Sequence, residues 1–109
     1  MDLGLKGLNA IVTGGTKGIG RRAADIFAEE GCNVSICARN AAEVADTVAA
    51  YSKRGVKSFG QAIDVGDKAE LEGWVDASAR QLGGIDIVVA NVSALAAAED
   101  SEASWQAQF

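Results

Sequence analysis

Four short apolar runs, at 8–13, 33–38, 56–63 and 85–90, alternate along the chain with stretches whose apolar residues recur every three or four positions. The first run, Leu8 through Ile11 and Val12 to Thr13, is continuously apolar but for Asn9, the pattern of a parallel strand covered on both faces. Ile19, Ala23, Ile26 and Phe27 then recur at helical spacing, and Gly31 stops that helix. A second strand reads over Asn33–Ala38. Asn40 with Glu43 has the form of a capping box, opening a helix whose inner face is Val44, Val48 and Tyr51 and which ends at Lys53-Arg54-Gly55. Lys57 and Gly60 dilute the run at 56–63, as a strand at a sheet edge tolerates. Asp67 with Glu70 is a second capping pair, and Leu71, Trp74, Val75, Ser78 and Leu82 mark an amphipathic helix before Gly83-Gly84. The run at 85–90 is apolar except for Asp86. Residues 94–100 read as an alanine-rich loop or weak helix, and 101–109 as the first turns of another helix.

Strands alternating with helices in this way predict an α/β fold with a doubly wound parallel sheet. Right-handed crossovers and a reversal of strand order beside the first strand give the order 3-2-1-4. The ligand crevice then lies at the carboxyl ends of the first and fourth strands.

Composition narrows the function. At 109 residues the chain has room for one core, and its 49% hydrophobic and 23% charged residues describe a soluble globular domain. With no long apolar span and no leader pattern, no membrane association and a cytoplasmic location are expected. A net charge of −5, with basic pairs only at Arg21-Arg22 and Lys53-Arg54, argues against a nucleic-acid partner. The absence of histidine excludes His-based metal sites and Ser-His or Cys-His catalysis within these residues, and no metal site is expected. Cys32 and Cys37 lie five apart around one strand, so they should face opposite sides of the sheet as buried free thiols.

The richest stretch lies between the first strand and the first helix. Gly18-Ile19-Gly20-Arg21-Arg22-Ala23 fits the common G-x-G-x-x-G/A spacing, but it starts five residues beyond Thr13; Gly14-x-x-x-Gly18-x-Gly20 starts where the turn must start. In the second register Gly14 permits the tight turn, Gly18 lets backbone approach phosphate, and Gly20 lets helix pack on strand. The first N–H groups of the helix then receive a pyrophosphate. No Gly-Lys-Ser/Thr follows, which removes the Walker alternative. At the end of the second strand, where an NAD site carries an acid for the ribose hydroxyls, the chain has Ala38 followed by Arg39. That arginine offers a phosphate clamp, and Lys17 a second positive charge, so NADP(H) is expected ahead of NAD(H).

Thr13-Gly14-x-x-x-Gly18-x-Gly20 resembles the cofactor motif of the short-chain dehydrogenase/reductase family, whose NADP-preferring members carry basic residues at the positions of Lys17 and Arg39. The resemblance implies a Rossmann-type sheet with turn contacts to the cofactor from Gly14, Thr16, Lys17, Gly18, Ile19 and Gly20. It also implies that Asp64 accepts from the adenine amino group beside Val65, and that Asn91 and Ser93 line the cofactor ribose. Ala90-Asn91-Val92-Ser93 departs from the family's Asn-Asn-Ala-Gly, matching only at Asn91, and Trp105 is similar to a tryptophan early in the next helix. The family's catalytic serine and Tyr-x-x-x-Lys have no counterpart here. The only tyrosine is Tyr51, on an inner helix face, and position 55 is Gly55.

The expectation is therefore the NADP-binding portion, residues 1–109, of a single-domain reductase that transfers hydride between a nicotinamide and a small carbonyl or alcohol. The chain should be truncated after about four strands, inactive alone, and homo-oligomeric in full-length form. An open edge on the fourth strand would favour self-association. The alternative is a non-catalytic dinucleotide-binding or interaction module. A methyltransferase binding adenosylmethionine fits less well, since that ligand gives no reason for Lys17 and Arg39.

Overall fold

The computed structural model describes residues 4–91, which form β1 (Asn9–Thr13), α1 (Gly18–Glu29), β2 (Asn33–Ala38), α2 (Ala41–Ser52), β3 (Ser58–Ala62), α3 (Lys68–Leu82) and β4 (Ile87–Val89). All paired strands are parallel and the sheet order is β3-β2-β1-β4, the expected doubly wound arrangement. The expected loop at 94–100, the helix at 101–109, Ser93 and Trp105 lie outside the described residues.

Every residue of β1 is buried, because the sheet is covered on both faces. Alternation sends Val12, Val34 and Ile36 to one side, where they meet Ala24 and Ala28 of α1 and Val44 and Tyr51 of α2. Ile11 and Cys37 point the other way, onto Leu71, Trp74 and Leu82 of α3. Cys32 and Cys37 are free and belong to these opposite clusters, as their odd spacing requires.

The face of α1 differs from the expected one. Gly20, Ala24 and Ala28 turn inward, whereas Ile19 is 79% and Ile26 45% exposed. The reason is steric. The helix starts so close to the β1 turn that a Cβ at Gly20 would stand 2.3 Å from the Gly14 carbonyl oxygen. Small residues four apart let a helix approach that closely, and the larger apolar residues take the flank, where Phe27 still packs on the core.

Capping goes as expected at α2 and α3. Asn40 accepts from the Glu43 amide at 3.0 Å and Asp67 from the Glu70 amide at 3.1 Å. Gly83, with φ of 90°, closes α3. β3 and β4 are shorter than their apolar runs. At the start of the sheet the chain instead forms a polar strip: Asn9 and Asp86 exchange two bonds at 2.8 Å, Asn33 Nδ2 donates to Asn9 Oδ1 at 2.8 Å, and the Lys57 amide donates to Asn33 Oδ1 at 2.9 Å. These bonds join neighbouring strand ends across the whole sheet and oppose a slip of register.

One polar cluster sits inside the apolar layer beneath α3. Trp74 Nε1 donates to Ser35 Oγ at 3.0 Å, and Ser35 shares a 2.7 Å bond with Ser78 Oγ, with all three residues fully buried. Ser35→Ala would leave the indole N–H without an acceptor, at a cost of about 1–3 kcal/mol. Urea unfolding should show that loss, with a smaller one for Ser78→Ala; equal stability of S35A and wild type would contradict this account.

Burial pushes the Cys37 thiol up to about 12 and raises that of Cys32 as well. Thiolate is the reactive form, so an aromatic disulfide reagent at pH 8 should leave Cys37 unlabelled in the native protein and label both thiols in denaturant. Cys32, whose thiol donates to the Leu5 carbonyl near the chain start, should be the first to react as denaturant is added. Rapid labelling of Cys37 without denaturant would refute its placement.

Candidate functional site

The turn after β1 is held from both sides. Gly14 and Gly15 donate their amides to one acceptor, the Cys37 carbonyl of β2, at 2.9 and 3.2 Å. Thr13 Oγ1 accepts the Asn91 amide at 2.7 Å, tying the turn to the segment after β4. Gly14 has φ of 65° and Gly18 of 58°, conformations that L side chains rarely adopt, and both fall in the register that begins at Thr13. Gly20 is required by its approach to Gly14 and also to Asn91 Nδ2, which would lie 2.7 Å from an added Cβ. Gly15 was not among the expected site glycines, yet its Cβ would fall 2.4 Å from Ile36 Cγ2, so it too is fixed by packing. The doublet Gly14-Gly15 is the signal that could have shown it.

The N-termini of the three helices are not alike. Side chains cap α2 and α3, whereas α1 begins at Lys17 without a side-chain cap and has no acidic residue in its first turn. Its first amides and the positive end of its dipole therefore present themselves to an anion.

Beside this turn, at the carboxyl ends of the strands, lies a cleft of about 580 Å³. Of the expected residues it gathers Gly14, Thr16, Lys17, Arg39, Asp64, Val65 and Asn91. Gly18, Ile19 and Gly20 stand at the adjoining start of α1 rather than in the cleft wall, and Ser93 is outside the described residues. Ala38, Asn40, Glu43, Ile63 and Gly66 complete the lining. Asn40 and Glu43 read in the sequence only as a capping pair. The return half of that capping box does not form: the Glu43 carboxylate accepts from Thr16 Oγ1 at 3.2 Å and pairs with Lys17 Nζ at 3.2 Å.

The second cation is paired as well. Arg39 meets Asp64 Oδ1 at 3.4 Å, and the same oxygen accepts the Gly66 amide at 2.9 Å in a tight turn after β3. Both cations are well exposed, Lys17 at 78% and Arg39 at 82% of the side chain. Such pairs are weak in water, so either head group can turn to another anion at little cost.

Tyr51 lies away from this cleft on the inner face of α2. Its hydroxyl donates to Asp25 Oδ1 at 2.6 Å, Arg21 sits over its ring at 5.8 Å from the centroid, and Arg21 also donates to Asp25 and to Thr47 Oγ1. Burial, then the bond to Asp25, raises the phenol above its ordinary range. Desolvation works against the Asp25 carboxylate, but bonds from Tyr51 and Arg21 outweigh it and lower its pKa. This network joins α1 to α2 and places no reactive group at the cleft. Among the described residues no cluster of ligating side chains suits a metal ion, and no helix is long and apolar enough to cross a membrane.

The chain is similar in sequence and in fold to known proteins. A family model described as short chain dehydrogenase matches residues 8–109. Isoepoxydon dehydrogenase of Penicillium expansum is 37% identical over 112 residues, covering 100% of this chain and 43% of the relative. The chain thus spans less than half the length of that relative. The structure of L-sorbose reductase from Gluconobacter frateurii, complexed with NADPH and L-sorbose, superimposes with a TM-score of 0.79 at 32% identity, covering 85% of this chain and 36% of that one. NAD+-bound xylitol dehydrogenase gives a TM-score of 0.72 at 28% identity, covering 77% of this chain and 32% of that one. With the family model matched across nearly its whole length, on a Rossmann-type sheet, the chain belongs to the short-chain dehydrogenase family of oxidoreductases.

Proposed function

We propose that this chain is the NADP(H)-binding portion of a short-chain oxidoreductase that moves hydride between the nicotinamide and a small carbonyl or alcohol substrate. The observation that carries the cofactor choice is Arg39, exposed at the cleft rim directly after an uncharged Ala38, with Lys17 facing the same space. L-sorbose reductase was solved with NADPH and xylitol dehydrogenase with NAD+, so discrimination has to come from this chain's own residues. A dinucleotide suits the site on physical grounds. The glycines remove side chains where a pyrophosphate has to approach, the uncapped start of α1 attracts its charge, and the cleft offers Asp64, Val65 and Asn91 to the adenosine.

Bound there, the cofactor would supply the hydride chemistry, while these residues bind and orient it. This reading gives no catalytic role to residues 1–109. Tyr51, the only tyrosine, is engaged with Asp25, and Gly55 stands where a catalytic lysine would follow. The chain alone is therefore proposed to bind cofactor without turning over substrate. The alternative is a non-catalytic dinucleotide-binding or interaction module. Supplying a downstream Ser and Tyr-x-x-x-Lys segment should restore reductase activity under the first reading and not under the second.

Calorimetric titration of the protein with NADPH and NADH tests the cofactor choice. Arg39→Ala should weaken NADPH by about tenfold to a hundredfold and NADH by less than about twofold, the range expected for losing a charged hydrogen bond to phosphate. Equal affinity of the wild type for both, or an unchanged ratio in R39A, would refute it. Self-association of the isolated chain belongs to the same proposal, through the backbone of β4, which among the described strands pairs with β1 alone. Sedimentation as a monomer at tens of micromolar would count against that edge as a contact.

A further inference from the structure

We propose that Glu43 is a specificity-setting residue: its carboxylate, fixed at the start of α2 in the cleft wall, opposes a 2′-phosphate and limits the preference for NADP(H) that Lys17 and Arg39 create. The inference rests on the NADP reading and concerns its strength. In the sequence Glu43 reads as half of a capping pair, but its side chain does no capping. Its two oxygens are instead taken by Thr16 Oγ1 and Lys17 Nζ, each at 3.2 Å, both from the glycine turn.

The charges at the cleft sum to zero: Lys17 and Arg39 contribute two positive, Glu43 and Asp64 two negative. A phosphate monoester brings a charge of about −1.5 to −2 at neutral pH. To receive it the cations have to turn away from their carboxylates, which their long exposed stems allow. The Glu43 side chain is only 34% exposed, is bonded to Thr16, and sits in the first turn of α2, where the helix dipole favours a negative charge. It stays behind, within reach of the lysine that has moved onto the phosphate. NADH brings no such charge, so the repulsion falls on one cofactor alone. Asp64 differs because its oxygen is tied to the Gly66 amide by the turn it forms, so removing it would disturb the backbone as well.

Glu43→Gln removes the charge and leaves the Asn40 cap intact, since that cap engages only the residue's backbone amide. Removing a like charge near a protein surface should then give E43Q about three- to tenfold tighter NADPH binding, with NADH changed by less than about twofold and the gain shrinking as salt rises. Glu43→Asp, which keeps the charge, should leave the NADPH to NADH ratio within about twofold of wild type. Thermal melts of both variants establish that they fold. An unchanged ratio in E43Q, or NADPH and NADH weakened together in both E43Q and E43D, would overturn the inference and leave Glu43 as a brace for the glycine turn. Failure of the underlying cofactor reading shows separately, as an R39A ratio equal to wild type, whatever E43Q does.

Discussion

The Cys37 carbonyl, accepting from both Gly14 and Gly15, is the contact on which the site depends. A strand that continued straight would carry Gly14 away from β2; two amides pointed at one carbonyl bend the chain up and across its end. The bend brings Gly15 onto Ile36 and Gly20 onto Gly14, so that side chains at either glycine would collide with the fold. On the other side Thr13 holds Asn91. Three neighbouring strands thus end around one turn, and the cleft is the space left where the chain reverses over them.

That geometry has an energetic consequence for α1. A helix normally satisfies its first amides with a side chain, and α2 and α3 do so through Asn40 and Asp67. Lys17 offers α1 no such acceptor. An uncapped start costs about 1 kcal/mol relative to a capped one. The chain sustains this because Gly20, Ala24 and Ala28 lie tight on the sheet and hold the helix by packing. Unsatisfied donors beside a glycine turn are what an anion can use, so the same small residues that let α1 approach also keep its end available.

The fold was legible because its signals are local or periodic. Strand runs, the Asn40 and Asp67 caps, the Gly83 stop and the 3-2-1-4 order need only alternation, turn chemistry and the handedness of crossovers. The inner face of α1 was not legible from hydrophobicity. Ile19 and Ile26 look like core residues, and only the distance between Gly20 and Gly14 makes the small residues the buried ones. Likewise Ser35 and Ser78 are polar residues at core positions whose partners lie 43 or 39 residues away in sequence. The residues expected from motifs that do line the cleft, Gly14, Thr16, Lys17, Arg39, Asp64, Val65 and Asn91, all come just after strand ends, where backbone position decides. Glu43 escaped because a helix-start pattern explained it locally, while its carboxylate answers to a turn 27 residues earlier.

What brings Glu43 up to that turn is the seam between α1 and α2. Arg21 reaches Thr47 and Tyr51 reaches Asp25, joining the two helices, and nearer the cleft Thr16 of the turn reaches Glu43. The first two contacts are partly buried and bring charged or polarised groups together, which makes them stiffer than a surface pair of the Lys17 kind. The carboxylate is consequently positioned by the folded seam, whereas among the described residues the lysine head group meets that carboxylate alone. A ligand phosphate entering the cleft can therefore recruit the cation far more readily than it can displace the anion.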